Sequence, residues 1–290
     1  MSDVNLRTMR RAKISAGIRY FILIAVGLFM AYPLFWMFGS AFKENFDIFN
    51  SAAILPPYGQ GTLDNFPGAW NITRRNNMLF YYVNTLRFLI PRVVFQVISC
   101  TLTAYAIARF NFPGKKLVFG AVMLTLLMPD VVFRIPVFFI FRDLGLIDTF
   151  ASLYVQEMFA VNSFFVFMII QFMRTIPRDL DEAASIDGCG PLRILTYILV
   201  PVLRPIIITT ALLTFMWGSN EFLGPLIYLN SPSNHVLAQA LRGLMGDADT
   251  LTNYGSIFAA ATIALIPVLA VFFACSRYFV QSVANSGGKE

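Results

Sequence analysis

The stretch Glu182-Ala183-Ala184-Ser185-Ile186-Asp187-Gly188 decides the fold, because it is a polar segment inside a strongly apolar sequence. Pro177 stands shortly before it and has the fixed φ that suits a first helical turn. Asp179, Asp181 and the glutamate that opens the stretch place negative charge near the positive end of a helix dipole. Its alanines favour helix, and its final glycine can adopt the left-handed conformation that ends one. The stretch therefore predicts a short helix that ends in a corner.

Three prolines extend this pattern. Pro191 can open a second short helix, and Pro201 and Pro205 restart the chain as it enters the next apolar run. The predicted order is helix, turn, helix and then membrane span.

The composition is that of a membrane protein. Of the 290 residues, 57% are hydrophobic, 15% aromatic and 13% charged, which is too little polar material for a soluble domain of this size. A helix needs about 20 residues to cross roughly 30 Å of hydrocarbon. Apolar runs near or above that length lie at 20–42, 79–108, 115–141, 150–173, 205–229 and 256–279. The sequence predicts an all-α integral membrane protein with six transmembrane helices. Because Pro129 and Pro136 interrupt the third run, a five-span alternative stays open, with an external helix after Pro129.

Basic residues beside the spans predict the orientation. Arginines and lysines cluster before the first run and after the second, and such clusters favour the cytoplasmic side. Six crossings then place both termini and residues 174–204 in the cytoplasm. The first run exceeds the usual signal-peptide core and is interpreted as an uncleaved anchor. This distribution accounts for the net charge of +6, and no nucleic-acid partner is expected. The predicted divisions are a cytoplasmic basic N-terminus, a first span with its external loop, a transmembrane core and a cytoplasmic tail, at 1–19, 20–78, 79–280 and 281–290.

A family resemblance rests on Glu182-Ala183-Ala184, Gly188, Ile198 and Pro201 at their spacing in this chain. The pattern resembles the cytoplasmic signature of permease subunits in binding-protein-dependent ABC importers, with Val200 in place of the usual Leu. The resemblance extends from about Asn84 to the C-terminus. It implies the type I importer permease fold with 174–204 as the coupling loop. It also implies ATPase-coupling roles for Glu182, Ala183, Ala184, Asp187 and Gly188.

Two further motifs, Ala104–Lys115 and Leu144–Thr149, resemble the maltose-permease-like sugar branch of this family. That resemblance implies uptake of a saccharide in the bacterial cytoplasmic (inner) membrane. The implied partners are membrane lipid, a second permease subunit, two ATPase subunits that bind ATP and Mg, and an external periplasmic solute-binding protein. The loop at about 230–254 is implied to reach toward that binding protein, and the tail toward the ATPases. An ordinary solvated loop and a disordered tail are the alternatives.

Charged residues at membrane depth mark a candidate translocation pathway, because they are costly unless they face a cavity or a partner. The candidate residues are Arg87, Arg92, Arg134, Asn220 and Glu221. The arginines could instead snorkel or pair locally, as Asp130 and Arg134 could across one helical turn. If they face the pathway, their charge favours an acidic oligosaccharide of the alginate type over a generic one.

Several chemistries are disfavoured by the sequence. It contains no Gly-x-x-x-x-Gly-Lys-Ser/Thr phosphate cradle, so ATP is expected on partner subunits and no cofactor is expected in this chain. A single histidine, His235, argues against a metal cluster or a catalytic triad. The chain is therefore predicted not to be an enzyme. The alternative function is a self-sufficient secondary transporter or channel in which Glu221, Arg87 and Arg92 form an ion path.

Overall fold

The computed structural model describes residues 2–51, 53–73, 76–245 and 253–287, with side chains described from 16 to 278 within those ranges. These residues form helices and connecting turns without a β-strand, which confirms the all-α prediction. The α-helices are α1 (Ser2–Ser40), α2 (Asp47–Asn50), α3 (Asn65–Trp70), α4 (Met78–Arg109), α5 (Lys115–Leu126), α6 (Val131–Asp143), α7 (Ser163–Arg174), α8 (Asp179–Ile186), α9 (Pro191–Arg193), α10 (Val200–Val202), α11 (Arg204–Ser219), α12 (Leu223–Tyr228), α13 (Leu237–Gly243) and α14 (Tyr254–Gly287). Two 3-10 turns, Phe150–Leu153 and Val155–Phe159, precede α7, and a π-helical turn, Ile194–Leu199, joins α9 to α10.

The described helices account for up to six membrane spans. Four are long and apolar enough to cross alone: Ala16–Ser40, Met78–Arg109, Val155–Arg174 and Tyr254–Tyr278. Two pairs are bent, α5 with α6 by 108° and the segment Pro191–Val202 with α11 by 80°. If each bent pair is one span, the number is the predicted six. The predicted break near Pro129 is confirmed, because α5 ends at Leu126 and α6 begins at Val131.

The structure corrects two of the predicted runs and describes most of the predicted tail. The run 205–229 is two helices, because α11 ends at Ser219 and α12 begins at Leu223. In a continuous helix the ring of Pro225 would clash with the carbonyl of Glu221, four residues earlier. The run 150–173 starts with 3-10 turns, and Ala160 has a left-handed φ of 52° before α7 begins. The predicted tail is helical to Gly287, and residues 288–290, with Lys289, lie outside the described residues.

One compact unit comprises the described parts of 1–71 and 247–263. Within it, Nδ2 of Asn65 donates to the backbone carbonyls of Ala41 (3.0 Å) and Lys43 (2.8 Å). The indole of Trp36 meets the ring of Phe258 edge-on, with centroids 5.2 Å apart. The described part of the loop that follows the first span is therefore held to the end of that span by buried amide hydrogen bonds.

The second unit comprises the described parts of 72–246 and 264–290 and is organised around α4, which packs against α7 and α11. Cys100, Ala104 and Ala108 recur at intervals of four on α4 and are buried, so they share one helical face. Small side chains on this face let neighbouring helices approach closely, the main means by which helices associate in lipid. Ile169 and Met173 of α7 complete this core and are fully buried. Helix α4 thereby becomes the scaffold from which the candidate sites project.

Candidate functional site

The polar stretch of 174–204, the predicted coupling loop, folds as its local chemistry predicts. Helix α8 carries three acidic residues in its first turn, and Gly188 follows it with φ 82°. The amide of Cys189 donates to the carbonyl of Ala184 (2.9 Å), and that of Gly188 to Ser185 (3.1 Å). These two bonds form a Schellman motif, which closes a helix on a left-handed glycine. Pro191 lies in the first turn of α9, as expected. The helix, corner and helix are confirmed.

Helix α8 has an inward and an outward face. Ala184 is buried against the core, so this predicted coupling residue anchors the helix instead of facing outward. Glu182, Ala183, Asp187 and Gly188 are exposed. The side chain of Ile186 is also outward and 87% exposed. The outward face therefore combines carboxylates with an uncovered apolar side chain.

The C-terminal end of α4 holds this loop at several points. The guanidinium Nε of Arg109 lies 2.8 Å from Oδ2 of Asp181, and its Nη2 donates to the carbonyl of Ile176 (3.2 Å). In return, Nη2 of Arg178 donates to the carbonyl of Ala108 (3.2 Å).

Beyond the Gly188 corner, the hydroxyl of Tyr105 donates to the carbonyl of Pro191 (3.0 Å). Sequence reasoning assigned Asp181 only to the helix dipole and missed its partner. The signal was Arg109, in the middle of the Ala104–Lys115 motif and on the same predicted side of the membrane.

A second group of charges lies farther along α4. Nε of Arg92 is 3.1 Å from Oε1 of Glu157, and its Nη1 pairs with Oε2 of Glu221. Nη1 of Arg134, from α6, is 3.3 Å from the other oxygen of Glu221. We call these four residues the ion cluster. It joins α4, α6, the 3-10 turn at Val155–Phe159 and the break between α11 and α12, with all four side chains largely buried.

The ion cluster brings three of the candidate pathway residues together, and Arg134 pairs with Glu221 in it instead of with Asp130, the local partner that the sequence allowed. A role in a pathway stays a prediction. Its two arginines and two glutamates give no net charge. Glu157 was missed, although the cost of a carboxylate at membrane depth, which singled out Glu221, applied to it equally.

Two glycines make room for this arrangement. A Cβ on Gly224 would lie 2.6 Å from Oε1 of Glu221 and 3.3 Å from Nη1 of Arg134. A Cβ on Gly218 would lie 2.5 Å from Cδ1 of Leu89, where α11 crosses α4. A side chain at position 224 would therefore displace Glu221 within the ion cluster, and one at position 218 would displace Leu89 at the helix crossing.

The other two predicted pathway residues lie outside the ion cluster. Arg87 is exposed and donates to Oδ1 of Asn84 (3.2 Å). Asn220 is exposed and its Nδ2 donates to the carbonyl of Met216, one turn back on α11 (2.9 Å). The side chain of Asn220 therefore satisfies a free carbonyl at a helix end.

The predicted external loop is anchored where it is described. The carboxylate of Asp148 accepts hydrogen bonds from the backbone amides of Asn230 (3.0 Å) and Ser231 (2.9 Å) and from the hydroxyl of Ser231. These bonds, with that of the Ser231 hydroxyl foremost, lower the pKa of Asp148. Nδ2 of Asn84 donates to the carbonyls of Ser233 and His235, both at 2.9 Å. The segment then continues as α13, and Asp247 and Asp249 lie outside the described residues.

The fold, with its several apolar helices long enough to cross a membrane, defines a multi-pass membrane permease. Residues 100–285 match the family described as binding-protein-dependent transport system inner membrane component, and the chain belongs to that family. It is 28% identical over 93% of its length to the diacetylchitobiose uptake system permease protein of Streptomyces coelicolor, 88% of which is covered. It is 29% identical over 96% of its length to the sn-glycerol-3-phosphate transport system permease protein of Rhizobium meliloti, 99% of which is covered.

The fold also matches a solved structure. A bacterial ABC transporter involved in the import of the acidic polysaccharide alginate has a chain that aligns with a TM-score of 0.78 and 21% identity. The alignment covers 93% of this chain and 98% of that one. This match confirms the ABC importer permease fold.

Proposed function

We propose that this chain is one permease half of an ATP-driven importer for a saccharide that an external solute-binding protein delivers. The observation that carries the proposal is the outward face of α8, where Glu182, Ile186 and Asp187 are exposed while the opposite face is fixed to α4. This face belongs to the segment whose sequence pattern resembles the ATPase-coupling signature of the family. The ATPase subunits of the complex are its expected partners.

The cycle is alternating access. ATP and Mg belong to the two ATPase subunits, since this sequence has no phosphate-binding loop. Closure of those subunits would displace α8, and the spans joined to it would reorient the pathway. A second permease subunit would form the other half of the pathway. A self-sufficient secondary transporter or channel does not fit a chain of this family.

The proposed location is the bacterial inner membrane, with both termini cytoplasmic. Contacts within the second unit support this orientation, because they join segments that the charge pattern places on one side. Arg109 meets Asp181 at the predicted cytoplasmic face, and Asp148 meets Ser231 at the predicted external face.

The saccharide assignment draws on relatives for diacetylchitobiose and alginate, and the glycerol phosphate relative shows that the family also includes a permease for an anion. The ion cluster compensates Arg92 and Arg134, so these two arginines offer an acidic substrate no net positive charge. The acidic-oligosaccharide hypothesis therefore depends on Arg87. Equal uptake of an alginate oligosaccharide by wild type and Arg87→Gln would contradict it.

The function can be tested by isolating the tagged chain from its native membrane and identifying the bound subunits by mass spectrometry. We expect an ABC-type ATPase and a permease subunit. In proteoliposomes, Glu182→Lys should reduce ATPase binding and ATP-driven uptake by about fivefold or more, the lower range of ordinary coupling energies.

Asp143→Lys is the control for this variant, because it reverses an exposed charge on the predicted external side. Uptake by the wild-type chain without any ATPase, or full coupling in Glu182→Lys, would contradict the proposal.

A further inference from the structure

We propose that the ion pair between Arg109 and Asp181 is the joint through which α8 moves α4 during transport. The inference rests on the proposed function and assigns Asp181 a role different from that of Glu182 beside it. Both members of the pair are positioning residues: they touch neither substrate nor nucleotide, and they act by holding two helices together.

The pair has the burial expected of a rigid joint. The side chain of Arg109 is 7% exposed and that of Asp181 is 19% exposed. Separating two such charges leaves each without a partner in a poorly solvated place, which is far more costly than separating an exposed pair. The pair should therefore move as one body when α8 is displaced.

Hydrogen bonds to backbone carbonyls reinforce the joint on both sides of the Gly188 corner. Before the corner, Arg109 binds the carbonyl of Ile176, and Arg178 binds the carbonyl of Ala108. After it, Tyr105 binds the carbonyl of Pro191. The end of α4 thus contacts the loop at 176–181 and again at Pro191, so a movement of the whole loop must carry α4 with it.

Helix α4 can carry this movement to the ion cluster. The segment from Arg92 to Arg109 contains neither proline nor glycine, and Pro91 lies just outside it. Sharp helix kinks almost always need one of these residues or a local bulge, so this segment should behave as a rod. At about 1.5 Å per residue, the rod spans roughly 25 Å. Its far end is Arg92, which holds Glu157 and Glu221.

A movement of α8 could also reach the rest of the protein along the chain, and the experiment must separate these routes from the joint. Residues 175–178 lead from α8 back to α7, and the π-helical turn leads forward to α11. Asp181→Asn leaves both routes intact and removes only the charge that Arg109 holds. Asp179→Asn is the matched control, because it removes the same charge from the same first turn at an exposed position.

The measurement uses the complete complex in proteoliposomes and records ATPase co-purification, ATP hydrolysis and saccharide uptake. We expect Asp181→Asn to keep its ATPase subunits but to need about fivefold or more additional ATP per substrate imported, within the usual 5- to 150-fold range of coupling. Asp179→Asn should match wild type. Asp181→Glu, which keeps the charge, should recover most of the coupling.

A double variant, Arg109→Gln with Asp181→Asn, is the control that separates uncoupling from misfolding. It leaves no buried charge uncompensated, so it should fold better than either single variant, yet it should remain uncoupled. Normal ATP use per substrate in Asp181→Asn, or loss of ATPase binding together with uptake, would overturn the joint. Failure of the wild-type chain to retain an ATPase would instead overturn the proposed function.

Discussion

Asp181 and Glu182 are adjacent on α8 and face in different directions, because successive residues of an α-helix are rotated by about 100°. Asp181 turns toward Arg109, whereas Glu182 is exposed. A single turn of helix can thus present one side to a partner and contact α4 of its own chain with the other. This division would allow the proposed docking element, although it has only a few residues, also to transmit movement.

Gly188 gives the sharpest test at the residue scale. Its φ of 82° disfavours a β-branched residue, whereas an added Cβ would meet nothing within 4 Å, so the effect of Gly188→Val is one of backbone strain alone. We expect about 1–2 kcal/mol of strain at the corner and a clear fall in ATP-driven uptake.

Gly190→Val is the matched control for this corner, because Gly190 has φ −74° and equally open space around it. Gly188→Asn should be milder than Gly188→Val, since asparagine tolerates the left-handed region. Equal uptake by Gly188→Val and Gly190→Val would exclude a role for the corner.

Glu157 provides a test of the ion cluster. Glu157→Gln removes one of the two carboxylates that hold Arg92 and should destabilise the protein by roughly 3–5 kcal/mol, as expected when a buried pair loses one partner. The exposed pair Arg142–Asp143 is the control, and Asp143→Asn should cost about 0–1 kcal/mol. Unfolding of the purified protein in detergent would compare the two, and similar losses would show that the ion cluster is not effectively desolvated.

At the scale of elements, the sequence predicts best where local chemistry decides the structure. Helix α8, its glycine corner and the start of α9 follow from residues within a few positions of one another. The break after α5 is predicted for the same reason, because Pro129 marks it. The hydropathy pattern misses the break after α11, because the average over 205–229 hides the polar residues Asn220 and Glu221. The break comes from Pro225, which cannot continue the helix. The ion cluster depends on four elements far apart in sequence, and neither periodicity nor spacing reveals which carboxylate meets which arginine.

The stability of the loop at 230–237 should depend on pH, because Asp148 holds it. Hydrogen bonds to the ionised carboxylate hold the pKa of Asp148 below its ordinary value. Its contribution to stability is therefore complete above the unfolded pKa of about 3.9 and is lost as pH falls through the lower folded pKa. Hydrogen exchange at the amides of Asn230 and Ser231 should show protection that is constant from neutral pH down to about 4 and declines below it.

Asp148→Asn is the comparison for this loop. It removes the charge but keeps one side-chain acceptor, so those two amides should exchange faster at neutral pH and lose the acid-dependent change. An acid-dependent loss of protection that persists unchanged in Asp148→Asn would assign the effect to another group.

At the scale of the whole molecule, one helix connects the three regions that a transport cycle must coordinate. Near its start, α4 uses the side chain of Asn84 to bind the segment that carries Ser233. It holds the ion cluster through Arg92 and ends at the coupling loop with Arg109. In the proposed orientation these are the external face, the membrane interior and the cytoplasmic face. Substrate delivery and ATP binding would therefore act on opposite ends of the same helix.

That orientation predicts a labelling pattern across the membrane. In a background without Cys100, Cys189 and Cys275, single cysteines would replace Gln60, Ser233 or Asp187, and intact cells would be exposed to a membrane-impermeant thiol reagent. All three replaced residues are exposed in the structure, so burial does not bias the comparison, and only their side of the membrane should decide the result. We expect labelling at 60 and 233 and none at 187 until the cells are permeabilised. Labelling at 187 with protection at 60 and 233 would invert the topology and place α8 where no cytoplasmic ATPase could reach it.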